Sequence, residues 1–267
     1  MIVAKENVKT AEEEGTAGKL RIRRPSILVT NDDGDSEGIR MLLEVAGRFG
    51  NAYAVMPNKQ RSAVSNAVTL HKPIRLHRMA DDIHSINGTP ADCVLFALYS
   101  GEFPKPDLVL SGINAGDNTS IIAIMSSGTV GACWEAVLEG VPAIAFSMRM
   151  SKKDWHEKAS WGDREAVMKR VEGIVEMLLP KLDKDKERFF NVNMPKNPEK
   201  ADIVHTNKLQ KDRFLNHVDK RLDPDGVPYY WINSTTKKVE KGTDTYEVIE
   251  NKKITITEIS LAVFEEE

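Results

Sequence analysis

Asp32, Asp33 and Asp35 fall within four residues, directly after the apolar, β-branched run SILVT at 26–30. Carboxylates crowded this closely repel one another. A solvated turn tolerates them, and a cation site requires some of them. Asn-Asp-Asp-Gly after a strand is also ordinary turn chemistry, so the aspartates matter only in company. Three further segments supply it: NKQRSAVSNAVTL at 58–70, SGINAGDNTS at 111–120 and SSGTVGA at 126–132. Together with the aspartates they offer carboxylates, amides and hydroxyls. No histidine occurs between His84 and His156, and neither cysteine lies in these segments. An all-oxygen donor set suits hard cations such as Mg²⁺, Mn²⁺ or Ca²⁺, not Zn²⁺ or Cu²⁺. Ser-Ser-Gly-Thr reads as a helix start, with free backbone N–H groups and a positive dipole end that can seat a phosphate. A hard cation beside an anion seat is the equipment of phosphate-ester chemistry.

These segments do one job only if the chain brings them to one place. SILVT reads as a buried strand, EGIRMLLEVAGRFG as a helix with Ile39, Leu42, Leu43 and Ala46 on one face, and NAYAVMP as a second strand. A β-loop-α-β unit over residues 26–57 is the mark of a parallel α/β sheet. The alternation continues. KPIRLHRM and DDIHSIN read as a short hairpin, and TPADCVLFALYSG as a helix capped by Thr89 with Pro90 in its first position. PDLVLSGIN is a strand, SSGTVGACWEAVLEG a helix reached through a loop, PAIAFS a strand, DREAVMKRVEGIVEMLLPKL a helix and RFFNVNMP a strand. Trp134, Val137 and Leu138 are expected to pack their helix on the sheet. In open parallel sheets ligands bind at the carboxyl ends of strands, which is where all four segments fall.

After about residue 200 polar residues dominate. LDPDGVPYYWI reads as a turn into an aromatic strand, and KKITITEIS as a last strand alternating Ile and Thr. Exposed strands of this kind pair with another subunit. Tyr229, Tyr230 and Trp231 suit either interface packing or base stacking. The expected organisation is a polar N-terminal extension over 1–24, a catalytic α/β core over 25–200, and a hairpin or arm with a final strand over 201–267.

At 267 residues, 41% of them hydrophobic, the chain can bury a sizeable core and is not disordered. A formal net charge of −3 provides no field for nucleic acid. Cys93 and Cys133 are the only cysteines, too few for a disulfide framework, and point to a reducing, cytoplasmic setting. No apolar stretch approaches a membrane span of about 18 residues. Residues 1–24 lack the apolar region of a signal peptide.

Six ordered motifs, ILVTNDDG, RSAVSNAVTL, NGTPADCV, DLVLSGINAGDN, SSGTVGACWEAVLEGVPAIAFS and YYWI…GTDTY, together resemble the SurE family of metal-dependent 5′-nucleotidases, over about 27–259. The resemblance implies a Rossmann-like three-layer α/β sandwich with a mostly parallel sheet. It also implies a C-terminal β-arm that exchanges between subunits of a homodimer or homotetramer. Further, it implies one divalent cation per subunit, Mg²⁺ or Mn²⁺, held by Asp32, Asp33, Ser62 and Asn114. Asn118, Ser127, Gly128 and Thr129 match its phosphate-binding residues, with Asp32 and Asp33 as the catalytic pair. The implied substrates are nucleoside monophosphates, with other phosphate esters and short polyphosphate besides, attacked by metal-activated water. Two departures stand out: TSIIAIMS at 119–126 replaces an acidic stretch of many relatives, and Asn66 stands where some have histidine. Both fall on expected proton-donor or base-specificity positions and leave the four metal positions intact.

Two other readings share some of these residues. A haloacid-dehalogenase-like phosphatase also places an aspartate after its first strand, as a covalent nucleophile. Its Asp-x-Asp signature is matched only partly by Asp33-Gly34-Asp35, because Ser36-Glu37 follows. A non-catalytic nucleotide-binding module would use the sheet and the anion turn but has little need of oxygen ligands after separate strands. A helix-loop-helix calcium site is disfavoured by the strand before Asn31.

Overall fold

The computed structural model describes residues 23–150, 161–182 and 187–264, and most of the expected N-terminal extension therefore lies outside the described residues. Strand β1 (Ser26–Thr30) sits near the middle of a nine-stranded sheet. Around it lie β2 (Asn51–Pro57), β3 (Leu76–Arg78), β4 (Ile83–Ile86), β5 (Leu108–Ala115), β6 (Ala143–Met148), β7 (Arg188–Met194), β8 (Ile203–His205) and β11 (Ile254–Ser260). Their order across the sheet is β3-β4-β2-β1-β5-β6-β7-β11-β8. Pairings from β4 through β7 are parallel, β3 turns back on β4, and β11 runs antiparallel to β7.

Side chains alternate across the pleat, so each central strand feeds two cores. Ile27 and Val29 pack under α1 (Glu37–Phe49) and α5 (Arg164–Leu182), with Leu42, Val171 and Val175. Leu28 and Val109 pack on the other face, with Cys93 and Val94 of α2 (Pro90–Tyr99) and Val130 and Cys133 of α4 (Gly128–Leu138). Helix, sheet and helix form the expected three layers. The α2 start carries the expected cap in full: Thr89 Oγ1 accepts from the Asp92 N–H, and Asp92 accepts from the Thr89 N–H. Both cysteines are buried, and burial pushes their thiols well above the usual range.

Three expectations change. TSIIAIMS is not a loop: Ile121–Ser126 forms a short helix, α3, capped by Ser120. Leu138 does not pack on the sheet; it lies at the end of α4 and is 59% exposed. Trp134 does the packing instead, edge-on to Phe189 of β7 at 5.0 Å. The last strand is not part of an arm either. β11 completes the main sheet between β7 and β8, with Ile254 and Ile256 buried, because its Ile residues face the core at period two. What projects is β9 (Phe214–Leu222) with β10 (Pro228–Thr236), a separate two-stranded sheet. Helix α6 (Asp244–Ile249) then leads back to the core.

Because β2 and β5 flank β1 on opposite sides, the chain reverses its winding at β1. That reversal opens a crevice at the carboxyl end of β1, the place where doubly wound sheets bind ligands.

Candidate active site

Asn31 builds the turn after β1. Its Oδ1 accepts from the Gly34 N–H at 3.1 Å, and its Nδ2 donates to Gly34 O at 2.8 Å and Ser36 Oγ at 3.2 Å. The turn leaves Asp32 buried and Asp33 half-buried at the strand end. Asp35 points outward and pairs with Arg40 at 2.8 Å.

Each aspartate is tied to a different element. Thr129 Oγ1, in the first turn of α4, donates to Asp32 Oδ1 at 2.6 Å, and the Thr129 backbone N–H bonds the same carboxylate. Asp33 Oδ2 accepts from the Ala115 N–H at the end of β5, at 3.1 Å. Asn114 precedes that residue, with its Nδ2 donating to Gly116 O at 2.7 Å; its carbonyl oxygen is the atom with ligand character. The Arg61 N–H donates to Asp32 O at 2.7 Å, which draws the loop bearing Ser62 up to the aspartates. In that loop Ala63 and Ser65 both take φ of 56°, a left-handed conformation that side chains resist. Ser65 is stitched down through its N–H to Ser126 O at 2.9 Å and its Oγ to Met125 O at 2.6 Å. A Cβ on Gly131 would lie 2.2 Å from Ser65 O, so only glycine lets the loop rest on α4.

The structure thus brings Asp32, Asp33, Gly128 and Thr129 together, with Asn114 one residue from the Asp33 contact and Ser62 in the exposed loop beside them. Asn118 and Ser127 are held in the frame. The Asn118 N–H donates to Asn193 Oδ1 at 2.6 Å, and its Nδ2 donates to Ser147 Oγ at 2.9 Å. Ser127 Oγ accepts from the Val130 N–H at 3.2 Å and caps α4, leaving its own hydroxyl proton free to be donated.

Sequence reading missed the residues behind these. Asn191 and Asn193 of β7 hold the Asn118 backbone; the signal was two amides at period two in an otherwise apolar strand. Arg213, at the root of the hairpin, pairs with Asp117 and donates to Thr119 Oγ1 at 3.0 Å. Asp244, in the GTDTY motif, accepts from the Ser120 N–H at 2.6 Å and the Gln210 N–H at 3.0 Å. The C-terminal region is thereby wired to the loop after β5.

Electrostatics set these carboxylates apart. Burial, then the neighbouring charge of Asp33, pushes Asp32 up to about 6, against the lowering effect of the Thr129 bonds. Burial also raises Asp33. Among the described residues no cationic side chain offsets either carboxylate, and no cluster of three or more His, Cys, Asp or Glu forms. A buried and a half-buried carboxylate without a compensating charge, set beside amide and hydroxyl oxygens, fit a hard divalent cation and do not fit a soft one.

A pH signature follows for the metal-free protein. A carboxylate raised on folding binds its proton more tightly when folded, so its contribution to stability is lost as pH rises from about 4 through about 6. The loss is about 3 kcal/mol. In EDTA, Asp32→Asn is therefore expected to unfold at a higher temperature than the wild type at pH 7, with the gap closing toward pH 4. Equal melting temperatures across that range would refute the assignment of strain to Asp32.

The fold and this geometry define a doubly wound α/β protein whose switch-point crevice sets an acidic pair against a helix start. Residues 27–214 match the family model described as "Survival protein SurE". The chain is 39% identical to the 5′-nucleotidase SurE of Thermofilum pendens over 242 residues, covering 88% of this chain and 90% of that one. It is 38% identical to the 5′-nucleotidase SurE of Pyrobaculum arsenaticum over 247 residues, covering 88% and 89%. The crystal structure of the SurE protein from Aquifex aeolicus superposes with a TM-score of 0.70 at 31% identity, covering 89% of this chain and 94% of that one. The chain belongs to the SurE family.

Proposed function

We propose that this chain is a divalent-metal-dependent phosphatase that hydrolyses nucleoside 5′-monophosphates to nucleoside and phosphate. Other phosphate esters and short polyphosphate are further substrates. One observation carries the reading: an uncompensated pair of carboxylates at the switch point, one of them bonded to the first turn of a helix. The names of the relatives support it.

Asp32, Asp33, Ser62 and Asn114 are the residues that would hold the cation, one Mg²⁺ or Mn²⁺ per subunit. Such an ion supplies charge neutralisation and a lowered pKa for water. Thr129 fixes Asp32 in place. The Ser127 hydroxyl and the Gly128 N–H, at the positive end of α4, donate to phosphoryl oxygens, and Asn118 keeps the loop after β5 in register. Asp33, the more exposed of the pair, accepts the proton of the attacking water. The test is phosphate release from AMP, GMP, CMP and UMP with each of Mg²⁺, Mn²⁺, Ca²⁺ and Zn²⁺. Release with a hard cation, and solvent oxygen entering phosphate in one step, is expected. Tight binding without release would favour a regulatory module, and a trapped phospho-aspartate the dehalogenase-like route.

The assembly we propose is a homodimer or homotetramer joined through the hairpin. Tyr230, Trp231 and Ile232 are exposed there, Ile232 at 82%, and apolar residues on an unpaired ribbon seek a partner. A solution mass of two or four chains is expected, and a monomer at micromolar concentration would count against it. Residues 25–200 then form the catalytic core, with 201–267 supplying the arm and the strands that close the sheet. No helix among the described residues is long and apolar enough to cross a membrane. With both thiols free and buried, we place the protein in the cytoplasm.

A further inference from the structure

Residues 58–75, which carry Ser62, form neither helix nor strand, yet they are fastened along their length. Thr89 Oγ1 donates to Ala67 O at 2.5 Å. The Thr69 N–H and hydroxyl donate to the buried Asp92 at 2.7 and 2.5 Å. Asn87 accepts from the Arg75 N–H at 2.6 Å and donates to Pro73 O at 3.1 Å. His71 is held at φ of 60°, a left-handed conformation that persists only where the surroundings impose it. The segment is therefore a wall of fixed shape. A cavity of about 350 Å³ opens against it, and its charged lining comes from Arg61 and Lys72.

Two cations facing one cavity repel each other. Elsewhere the arginines of this chain meet carboxylates, as Arg40, Arg78 and Arg164 do. Among the described residues Arg61 and Lys72 have no ion pair. Arg61 is tied through its Nε to Gly88 O at 3.2 Å, which leaves the terminal nitrogens of its guanidinium with hydrogens to donate. Asp92 does not serve either cation, because Thr69 and the Thr89 N–H occupy its oxygens. The chain as a whole is acidic, at −3, so this pair is no overflow of basic residues. A guanidinium fork beside an ammonium is a donor set for a phosphoryl group.

The cavity adjoins the acidic pair. Arg61 precedes Ser62, with α-carbons about 3.8 Å apart, and its N–H donates to Asp32 O. Gly88 and Thr89 connect β4 to α2, so the Arg61 side chain lies on the β4 side of β1, whereas Asn114 approaches from β5 on the other side. Val68 and Leu70 give the cavity an apolar flank that accepts a spacer. A substrate with its reacting phosphate at 127–129 meets these cations only if it carries further negative charge.

We propose that Arg61 and Lys72 form an anion subsite for a second phosphoryl group of the substrate, so that molecules with two or more phosphoryl groups are preferred over monophosphates. The inference rests on the nucleotidase reading. The second group arrives either along a phosphate chain or on the ribose of a nucleotide, and tripolyphosphate and adenosine 3′,5′-bisphosphate separate these sources. The experiment measures kcat/KM for each relative to AMP at fixed free Mn²⁺. In the wild type at least one ratio is expected to exceed about ten. Lys72→Gln and Arg61→Gln should each lower that ratio about tenfold, mainly through KM, and Lys72→Glu about a hundredfold. The Lys72 variants should turn over AMP within about twofold of the wild type. For Arg61→Gln the ratio is the readout, because a shift of the Ser62 loop would lower both substrates together. Raising NaCl from about 0.05 M to about 0.5 M should shrink the wild-type preference.

A loss confined to tripolyphosphate assigns the subsite to a phosphate chain, a loss confined to the bisphosphate assigns it to a nucleotide, and a loss in both assigns it to either source. A wild type that does not favour either compound over AMP, ratios unchanged in all three variants, or an equal loss on AMP would overturn the proposal. Failure of the wild type to release phosphate from AMP and from both compounds would instead bring down the nucleotidase reading, and this inference with it.

Discussion

Asp32→Asn and Asp33→Asn are each expected to lower phosphate release from AMP by about a thousandfold or more at saturating Mn²⁺. Asparagine keeps the size of aspartate and can still accept the bonds that Thr129 gives Asp32 or Ala115 gives Asp33. What it removes is the charge. For a hard cation with only two carboxylates among its donors, losing one halves the anionic character of the site. The two variants should part company elsewhere. Asp32 carries the larger burden of burial and repulsion, so its replacement is expected to stabilise the metal-free fold while abolishing turnover. Wild-type turnover in either variant would refute the assignment, and lost turnover with a disrupted fold would leave Asp32→Ser and Asp33→Ser to decide it by the same assay.

Gly128→Ala is expected to lower the same activity by at least about a hundredfold, although alanine is worth about 1 kcal/mol over glycine within a helix. An added Cβ would lie 2.9 Å from Asp32 Cβ, 3.0 Å from Val64 Cγ2 and 3.1 Å from Asp32 Oδ2. Real Cβ atoms do not approach so closely, so something must move. Asp32 is pinned by Thr129 and by the Arg61 N–H on its backbone. Val64 is in the loop whose neighbours are already in left-handed backbone. The strain therefore falls on the aspartate and the Ser62 loop, which the chemistry needs within about an ångström of their places. Turnover of AMP and the melting temperature report the two effects separately. Activity within twofold of the wild type would show that α4 does not abut the acidic pair as described.

Much of this was legible before any coordinates. The order of strands and helices follows from period-two and period-3.6 patterns, because those patterns decide which faces are buried. The location of the site follows from the rule that ligands gather at strand ends in parallel sheets. Asp32 and Asp33 were legible only in company: Asn-Asp-Asp-Gly after a strand is ordinary turn chemistry, and the oxygen donors of three other segments at the same sheet edge gave the pair its meaning. Other features were not legible, because they depend on contacts between distant segments. TSIIAIMS is too short for a helical period to declare itself, and its helix is fixed by Gln210 and Lys211, whose carbonyls accept its first N–H groups. The fate of KKITITEIS turned on whether its alternating face met the core or another subunit, and alternation alone is compatible with both. The role of Thr129 depended on α4 meeting β1: a helix start that reads as a phosphate seat in sequence proves to bond Asp32 as well. Asp117, Asp244 and Arg213 lie far apart in the chain and acquire meaning only where they converge on the loop after β5.

The most direct test is to strip the protein with EDTA, add Mn²⁺ back in steps, and follow bound metal and phosphate release from AMP together. The expected result is no release without metal and a rise that saturates at one bound ion per subunit. In Asp32→Asn both signals should stay near zero at the same free Mn²⁺. Undiminished phosphate release in excess EDTA, or full release from the variant with no ion bound, would contradict the claim that this acidic pair holds the metal on which the reaction depends.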